Sequence, residues 1–290
     1  MKIKNILRRV SHIIPDRIYL HIKYYLRTGK RLNLRNPVTY TEKLQWLKLH
    51  DRRPVYTTLV DKYEVKKFVA EKLGEEHVIP LLGVWDSAED IPFDLLPNQF
   101  VLKCTHDSGG LQICRDKSSF DFNAAKKKIQ DVLKVNYYWA SREWPYKNVK
   151  PRVIAEQYME DAETGETRDY KFFTFNGEPK VMYIATGRGS GETYGDFFDM
   201  DFNHLELDID HRNAPVCPEK PDCFEEMKKA AAVLAKGTPQ VRVDFYVING
   251  QYYFGEMTFF HCGGFVNLKP DSWNKVFGDW IMISKDGEAL

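Results

Sequence analysis

Two Asn-Gly dipeptides, each set between apolar runs, constrain the fold of this 290-residue chain more than any other feature. Asn and Gly tolerate the positive φ that both central residues of a type I′ turn require, and this turn matches the twist of the strands that it joins. Asn176-Gly177 and Asn249-Gly250 therefore predict two antiparallel hairpins. Their strands would be residues 169–175 with 180–185 and residues 240–248 with 251–257.

Helical periodicity predicts four helices in the body of the chain, over residues 42–49, 60–72, 123–135 and 223–234. Short apolar runs bounded by Gly, Pro or polar residues predict further strands over residues 78–84, 100–104, 111–114 and 153–159. The strands are mixed with helices and the recognisable connections are hairpins. We therefore predict an α+β fold with antiparallel sheets.

The amino-terminal segment, residues 1–36, is strongly basic. It contains ten Lys or Arg residues and one acidic residue, although the whole chain has a formal net charge of +1. Apolar residues recur at near-helical spacing in residues 3–14 and 18–26, which predicts two short amphipathic helices. Their apolar faces would either pack on the body of the protein or dock on a membrane surface. Acidic phospholipid and nucleic acid both complement such charge; we predict the anionic membrane surface as a partner, and no nucleic acid.

The cysteine pattern and the hydropathy bear on the compartment. The five cysteines include no C-x-x-C pair and are odd in number, which argues against a disulfide framework or a zinc site. No apolar run approaches the roughly 20 residues that span a bilayer. We therefore expect a protein of the reducing cytoplasm.

The second hairpin carries polar residues on one face. Arg242 and Asp244 are two residues apart and share that face, and Glu256 and Thr258 repeat the arrangement on the partner strand. The two-residue turn would set Asp244 opposite residue 255, with Glu256 diagonal to it. Mg²⁺ commonly takes one or two carboxylates together with phosphate oxygens, so this face is a candidate metal site. The alternative is a solvent-exposed sheet face with cross-strand ion pairs.

A lysine followed by a glycine loop is a second candidate site. Lys103 lies in the apolar run 100–104, and the loop Thr105-His106-Asp107-Ser108-Gly109-Gly110 follows directly. The lysine would supply a positive charge and the loop would supply backbone N–H groups, which together suit phosphate. The spacing is not that of a Walker A motif, and an ordinary hairpin is the alternative.

Other features are less specific. Glu156-Gln157-Tyr158 would present backbone and an aromatic wall to a nucleobase, or would end a plain core strand. Asp169 and Lys171 share a strand face, where they would contact ribose and phosphate, or each other. His106 would touch phosphate or substrate, although a lone histidine is more often structural. Asp199-Met200-Asp201 is a D-x-D sequence, which suits a metal-bound nucleotide sugar but is common by chance.

In this order, the motifs resemble those of the ATP-grasp superfamily, and specifically of the TupA-like ATP-grasp family of bacterial surface-polysaccharide pathways. The resemblance covers roughly residues 36–275. The segments that carry it are Asn36-Pro37, Glu42-Lys43-Leu44-Gln45-Trp46-Leu47, Asp61-Lys62-Tyr63, Val101-Leu102-Lys103-Cys104-Thr105-His106, Glu156-Gln157-Tyr158, Asp169-Tyr170-Lys171 and the hairpin with Arg242, Asp244 and Glu256. The implied fold is two α+β subdomains that clamp a nucleotide, with a helical N-terminal extension in this chain.

The resemblance assigns the candidate residues to ATP and Mg²⁺. The nucleotide-binding residues would be Lys62, Lys103, His106, Ser108, Gly109, Gly110, Glu156, Gln157, Tyr158, Asp169 and Lys171. The metal ligands would be Asp244, Glu256 and Thr258. Arg242 and Lys103 would be the catalytic residues that stabilise the transferring phosphoryl group. Many members of the superfamily have Asn at the position of Thr258.

The implied activity is that of an ATP-dependent carboxylate–amine ligase that works through an acyl phosphate and produces ADP. The acceptor would be a uronic acid carboxylate of a bacterial surface polysaccharide, and the donor an amino acid or a small amine. The basic segment would bring a cytoplasmic enzyme to lipid-linked glycan at the inner face of the plasma membrane. The alternatives are a glycosyltransferase of the same pathway that uses Asp199 and Asp201, and a kinase-like ATP-binding protein that phosphorylates a sugar.

The expected organisation has four parts. They are a basic helical segment (residues 1–36), a helical linking subdomain (residues 37–97), a lid subdomain with the glycine loop (residues 98–160) and a core subdomain with the metal-binding hairpin (residues 161–290).

Overall fold

The computed structural model describes residues 11–107, 109–163, 165, 167–187, 192–209 and 211–283. They fall into two compact units. Unit 1 comprises the described parts of Met1–Arg52, Trp139–Trp144 and Asp161–Leu290, and unit 2 comprises those of Arg53–Tyr138 and Pro145–Glu160. The division of the chain into four parts stays a prediction.

The helices are α1 (Asp16–Thr28), α2 (Tyr40–His50), α3 (Val55–Val60), α4 (Glu64–Leu73), α5 (Phe122–Leu133), α6 (Tyr138–Ser141), α7 (Phe224–Ala235) and α8 (Ser272–Trp280). The strands are β1 (Leu81–Trp85), β2 (Phe100–Cys104), β3 (Gln112–Cys114), β4 (Val153–Gln157), β5 (Arg168–Phe175), β6 (Glu178–Thr186), β7 (Tyr194–Asp199), β8 (His204–Leu205), β9 (Gln240–Ile248) and β10 (Gln251–Thr258). These elements confirm the α+β class.

Unit 1 is built on an antiparallel sheet with the strand order β10-β9-β5-β6-β7-β8. Both predicted hairpins are present, as β5–β6 and β9–β10. At the second turn Asn249 has a φ of 51° and Gly250 a φ of 79°, as a type I′ turn requires. Helix α7 covers one face of the sheet, where the ring of Phe224 lies 6.0 Å from that of Phe172. The opposite face is left for the polar residues of β5, β9 and β10.

The register of the second hairpin differs from the prediction. The strands pair as expected near the turn, but the register shifts by one residue between Phe254 and Glu256. Glu256 therefore lies directly opposite Asp244, and the prediction that residue 255 would face Asp244 was wrong. The extra residue is Gly255, and such a bulge redirects the side chains that follow it.

Unit 2 contains an antiparallel sheet with the strand order β1-β4-β2-β3. Its core is made of buried residues from β2 and β4 and of α5, among them Phe100, Leu102 and Ile129. The burial of side chains alternates along β2: Phe100, Leu102 and Cys104 are buried, whereas Val101 and Lys103 are partly exposed. Lys103 thus points to the face opposite the core.

A short helix precedes one of the predicted helices. The predicted helix over residues 60–72 is α4, which begins four residues later than predicted, at Glu64, and the sequence analysis did not predict α3. The Asp61 carboxylate accepts hydrogen bonds from the backbone N–H groups of Tyr63 (2.9 Å) and Glu64 (3.3 Å). An aspartate that bonds the backbone in this way ends one helix and starts the next.

The remaining helix predictions hold within a few residues. The segment of residues 18–26 lies in α1, which confirms the second amphipathic helix, whereas residues 3–10 of the first lie outside the described residues. Helix α2 begins with a capping box: Thr39 Oγ1 accepts a hydrogen bond from Glu42 N–H, and the Glu42 carboxylate accepts one from Thr39 N–H (3.1 Å). The predicted strand of residues 78–84 begins later, at Leu81, after Pro80.

Candidate active site

Three neighbouring strands of unit 1 carry polar side chains at facing positions. Lys171 on β5 pairs with Asp244 on β9, and Glu256 on β10 pairs with Asp244 from the other side. Thr258 on β10 pairs with Arg242. Paired residues of antiparallel strands point to the same face. These five residues therefore form one polar group, which we call the β9 cluster.

Arg242 and Asp244 are the centre of the β9 cluster. Arg242 Nε and Nη2 lie 2.6 Å and 2.7 Å from the two oxygens of Asp244. Lys171 Nζ lies 2.5 Å from Asp244 Oδ2, and Arg242 Nη2 lies 3.0 Å from Glu256 Oε1. Thr258 accepts a hydrogen bond from Arg242 Nη2 and donates one to Glu256, each of 3.1 Å. Every polar side chain of the cluster is thus fixed by another member.

Burial and charge act against each other at these groups. Burial by itself would raise the pKa of Asp244, but the charges of Arg242 and Lys171 offset it, so that the pKa lies below its usual range. Burial would lower the pKa of Arg242, and the nearby carboxylates raise it instead. Asp244 is therefore ionised and Arg242 charged at neutral pH.

Together with Asp169, the β9 cluster has a small excess of negative charge. Asp169 Oδ1 lies 3.4 Å from Lys171 Nζ, so three carboxylates face two cations. The Glu256 side chain keeps 36% of its surface exposed, whereas that of Asp244 keeps 1%. Carboxylate and hydroxyl oxygens are the donors that Mg²⁺ prefers, and each carboxylate oxygen has more than one lone pair. The residues present therefore fit Mg²⁺, with Glu256 as the more accessible ligand.

No cluster of three or more His, Cys, Asp or Glu that would hold a metal ion by itself occurs among the described residues.

His261 follows the β10 strand and belongs to the same site, although the sequence identifies no partner for it. Its Nδ1 contacts Arg242 Nη1. Burial, and then the charges of Arg242 and Lys171, hold the pKa of His261 well below its usual value. The imidazole is therefore neutral and Nδ1 accepts the hydrogen bond from the guanidinium. His261 fixes the side of Arg242 that faces away from Glu256 and Thr258.

The loop after β10 has an unusual backbone that α2 holds in place. Cys262, Gly263 and Gly264 have φ values of 51°, 64° and 72°, a run of left-handed conformations that favours glycine. Gln45 Nε2 donates a 2.6 Å hydrogen bond to the Gly264 carbonyl, and Lys48 Nζ donates one of 2.6 Å to the Gly263 carbonyl. The Glu42–Leu47 motif thus includes a residue that positions the loop bearing His261.

Lys48 is fully buried, and sequence reasoning missed it. Besides the Gly263 carbonyl, its Nζ contacts Gln45 Oε1 at 2.8 Å and lies 4.6 Å from the centre of the Phe265 ring. Burial holds the pKa of Lys48 well below its usual value, while the charge of Glu143 raises it. Burial raises the pKa of Glu143 to about 7, against the lowering charges of Lys48 and Lys23. A buried charge of this kind needs its partners in place.

Unit 2 has its own charged group, on the sheet face opposite the core of that unit. The carboxylate of Glu156 on β4 lies 2.5 Å from Lys103 Nζ on β2 and 2.6 Å from Lys66 Nζ on α4. Burial by itself would raise the pKa of Glu156, but the charges of Lys103 and Lys66 lower it to about 2. Two cations around one carboxylate leave a positive charge, which favours an anion such as phosphate.

The turn between α3 and α4 lies beside the glycine loop. Lys62 Nζ donates a hydrogen bond to the Asp107 carbonyl, and Lys62 N–H donates one to the Thr105 carbonyl (3.2 Å). The Asp107 carboxylate accepts a 2.8 Å hydrogen bond from Gly109 N–H. A Cβ on Gly110 would lie 2.5 Å from Cys104 Sγ, so the loop folds tightly against β2. Ser108 lies outside the described residues.

His106 contacts the carboxyl end of a helix. It is buried, and its Nε2 lies 3.2 Å and 3.1 Å from the carbonyls of Val132 and Val135 at the carboxyl end of α5. Carbonyl acceptors require the proton on Nε2. His106 thus caps a helix end, and its contact with the nucleotide stays a prediction.

At the end of β4, Gln157 is exposed and its N–H donates a 3.0 Å hydrogen bond to the Pro80 carbonyl. The Tyr158 hydroxyl contacts Glu160, and the Arg115 guanidinium lies 5.8 Å from the Tyr158 ring. These residues leave β4 beside β1. A base-binding role for Glu156, Gln157 and Tyr158 stays a prediction.

The D-x-D sequence serves a turn. The carboxylate of Asp199 accepts hydrogen bonds from the backbone N–H groups of Asp201 (2.9 Å) and Asn203 (2.8 Å), and from the Asn203 amide (2.8 Å). Both oxygens of Asp199 are therefore used in closing the turn after β7. This geometry does not favour a metal site at Asp199 and Asp201.

The chain was compared with known proteins. A family model described as TupA-like ATPgrasp matches residues 42–282. No match was found among curated protein sequences. Among solved structures, a D-alanine–D-alanine ligase from Bacillus anthracis complexed with ATP has 18% identity and a TM-score of 0.40, with 69% of this chain and 55% of that chain covered.

Two further structures are similar over comparable lengths. D-Ala-D-Ala ligase from Helicobacter pylori has 16% identity and a TM-score of 0.48, with 86% of this chain and 68% of that chain covered. N5-carboxyaminoimidazole ribonucleotide synthetase from Thermus thermophilus has 13% identity and a TM-score of 0.39, with 70% of this chain and 45% of that chain covered. The chain thus spans about half the length of the B. anthracis and T. thermophilus proteins.

Proposed function

The chain belongs to the TupA-like ATP-grasp family, as its sequence predicted, and from this premise we propose that it is an ATP-dependent carboxylate–amine ligase. A carboxylate oxygen of the substrate attacks the γ-phosphorus of ATP, and the bond from that phosphorus to the β–γ bridging oxygen breaks. ADP leaves and an acyl phosphate remains. The nitrogen of an amine then attacks the acyl carbon and loses a proton, and inorganic phosphate leaves as the amide forms.

The β9 cluster is the observation that carries this proposal. Phosphoryl transfer needs fixed positive charge against the transferring group and little covalent chemistry from the protein. Arg242 is held on three sides, by Asp244, Glu256 and His261, so its guanidinium is already oriented before a substrate arrives. Mg²⁺ held by Asp244 and Glu256, with Thr258 as a third candidate ligand, would neutralise phosphate charge.

We assign further nucleotide contacts to unit 2 from its own charged group. Lys103 is oriented by Glu156, and its charge suits a phosphate oxygen. Lys62, with the loop of Gly109 and Gly110, would lie over the phosphates, and the end of β4 would hold the adenine. Asp169 and Lys171 would contact the ribose and a phosphate.

We propose a uronic acid carboxylate of a bacterial surface polysaccharide as the acceptor, and an amino acid or small amine as the donor. The family resemblance in the sequence supports this assignment. Neutral sugars lack the carboxylate that an acyl phosphate requires, so the acceptor must be an acidic sugar or carry an acid.

We also propose that the enzyme acts at the inner face of the plasma membrane, where α1 docks on anionic lipid. No helix among the described residues has the length and hydropathy to cross a bilayer. Helix α1 instead exposes an apolar stripe: Ile18, Ile22 and Tyr25 keep 53%, 39% and 58% of their surface exposed. Exposed Arg17 lies beside this stripe and exposed Arg31 follows the helix. An apolar stripe with flanking basic residues is typical of helices that lie in a membrane interface.

Nucleotide binding and ADP release test the ligase proposal. We expect Mg-ADP to raise the melting temperature of the full chain, and UDP-glucose to leave it unchanged. Asp244→Asn and Glu256→Gln should each abolish ADP release in the presence of a carboxylate and an amine. Glu256 is partly exposed, so the second substitution tests the site even if the first unfolds the chain.

Asp201→Asn is the matched control, because Asp201 is an exposed acid outside the β9 cluster. Stabilisation by UDP-glucose together with loss of activity in Asp201→Asn would instead establish the glycosyltransferase. ADP release that does not depend on the amine, with a phosphorylated sugar as product, would establish a kinase.

A further inference from the structure

A polar pocket of about 450 Å³ lies within unit 1, between the end of α1, the start of α2 and the segment of residues 262–274. Its lining includes Arg27, Lys30, Thr41, Cys262 and Phe265. None of these residues belongs to the β9 cluster. The volume is sufficient for a monosaccharide with a substituent.

The inner part of the pocket is rigid and capable of hydrogen bonding. Asn274 Oδ1 accepts a 3.1 Å hydrogen bond from Thr41 N–H, and the hydroxyls of Thr41 and Tyr24 lie 3.0 Å apart. The rings of Tyr24 and Phe265 lie 6.4 Å apart and pack α1 against the segment after β10. Hydroxyl and amide groups beside aromatic rings suit a polyhydroxylated ligand better than an apolar one.

The pocket lining is linked to the β9 cluster through His261. Cys262, which lines it, follows His261, and Cys262 Sγ lies 3.6 Å from His261 Nε2. His261 Nδ1 in turn contacts Arg242. A carboxylate placed at the Cys262 side of the pocket is therefore one residue away from the group that orients Arg242.

The positive charge in the pocket lining comes from α1. Lys30 and Asp271 form an exposed ion pair of 3.0 Å, so their charges cancel. Arg27, in the last turn of α1, is exposed and its guanidinium forms no ion pair with any residue in the described ranges. The pocket lining thus has one uncompensated cation, which comes from α1 and not from the segment that bears Cys262.

We propose that this pocket binds the carboxylate substrate of the ligase, and that this substrate is a sugar acid with a second anionic group, which Arg27 binds. This inference rests on the proposed function. The reacting carboxylate lies towards Cys262 and His261. Sugars that are attached to a nucleotide or lipid carrier share a phosphate on the anomeric carbon. This phosphate is the second anion, because guanidinium groups recognise phosphate well. The acceptor is therefore a glycosyl phosphate and not a free or neutral glycan end.

The test uses the full chain with ATP, Mg²⁺ and hydroxylamine, which traps acyl phosphates as hydroxamates whatever the natural amine is. D-Glucuronate 1-phosphate and D-glucuronate are compared as substrates by ADP release and hydroxamate formation. We expect kcat/KM to be at least about tenfold higher for the phosphate form, as one charge-assisted hydrogen bond provides. UDP-glucuronate as a third substrate distinguishes a nucleotide carrier from a simple phosphate.

Arg27→Gln should lower kcat/KM for D-glucuronate 1-phosphate about tenfold, mainly through KM, and should have a smaller effect with D-glucuronate. Arg31→Gln is the matched control, since Arg31 is an exposed cation of the same region that does not line the pocket. Equal kcat/KM for the two sugar acids, or an equal loss in both variants, would overturn the role of Arg27. If Mg-ADP stabilises the chain but neither sugar acid supports hydroxamate formation, the pocket assignment is wrong while nucleotide binding stands.

Discussion

Lys103 and Glu156 lie on neighbouring antiparallel strands of unit 2, with Lys103 Nζ 2.5 Å from Glu156 Oε2. Lys66 approaches the other oxygen at 2.6 Å, so one buried carboxylate orients two lysines. This arrangement makes Glu156 a supporting residue for Lys103 rather than a ligand for the nucleobase through its side chain.

The pairing of Glu156 predicts a specific acid sensitivity. Its pKa in the folded chain is about 2, against an ordinary value of 4.5, so its stabilising effect is complete above about pH 4.5 and is lost as the pH falls towards 2. Between pH 6 and pH 3 the loss should be about 2 kcal/mol. This loss in the free energy of unfolding is measured by urea unfolding of the parent chain and of Glu156→Gln at both pH values. The variant should lose less stability on acidification.

Glu89→Gln is the control for this measurement, because Glu89 forms an exposed ion pair with Lys126 in the same unit. It should retain the acid sensitivity of the parent chain. The same loss of stability in Glu156→Gln as in the parent chain would show that the two lysines do not lower the Glu156 pKa.

Local patterns predicted much of this fold. The two hairpins follow from Asn-Gly turns between apolar runs, and the helices from periodicity and caps such as Thr39 with Glu42. The Asp244 site was found because alternation along a strand fixes which residues share a face, and Lys103 was found from the glycine loop that follows it. Helix α3 was missed because its six residues are too few for a periodic pattern, and the start of α4 was placed too early because the turn at Asp61 depends on side-chain hydrogen bonds.

Partners that are distant in sequence were not predictable from spacing. Lys66 is far from Glu156 along the chain, and Lys48 reaches the Gly263 carbonyl across 215 residues. His261 looked like a lone histidine until the sheet placed it against Arg242. The bulge at Gly255 likewise depends on how β10 packs, because a glycine in a strand does not by itself mark an inserted residue.

Lys48→Met should destabilise unit 1 and impair activity. The substitution removes the hydrogen bonds to Gly263 and Gln45 and takes from Glu143 the cation that most lowers its pKa. A buried polar group that is left without its hydrogen-bond partner costs about 1–3 kcal/mol. Chemical denaturation measures the change in the free energy of unfolding. Lys67→Met is the control, because Lys67 is an exposed helix residue. A loss no larger than that of the control would show that the loop does not depend on Lys48.

Thr258→Val should lower the rate of ADP release about tenfold, because Arg242 and Glu256 each lose one hydrogen bond of modest strength. Thr258→Ser keeps the hydroxyl and should retain most of the activity. The two variants are compared by kcat at saturating ATP and by unfolding. A Thr258→Val chain with the kcat of the parent chain would show that the hydroxyl does not contribute to turnover.

Gly278→Ala should be strongly destabilising, although alanine is the better helix former. Gly278 lies in α8, and a Cβ there would come within 2.2 Å of the Val38 carbonyl oxygen, a backbone atom that cannot turn aside. Overpacking against backbone costs about 3 kcal/mol. Thermal unfolding measures the effect, and Lys275→Ala on the exposed side of α8 should be close to neutral. A stable Gly278→Ala chain would mean that α8 shifts away from the segment before α2 at little cost.

Ile18→Ser combined with Ile22→Ser should weaken binding to vesicles of phosphatidylglycerol and phosphatidylcholine by at least about tenfold. Each isoleucine projects an exposed apolar side chain, and insertion of such a side chain into an apolar phase is worth about 1.5–3 kcal/mol. Sedimentation with vesicles measures binding of the full chain, and Leu95→Ser is the control because Leu95 is 84% exposed in unit 2. Vesicles of phosphatidylcholine alone should bind more weakly, since they lack the anionic charge that the basic residues around α1 require. If the double variant and the Leu95 variant bind vesicles equally well, the two isoleucines do not contact lipid. The exposed face of α1 would then have another role.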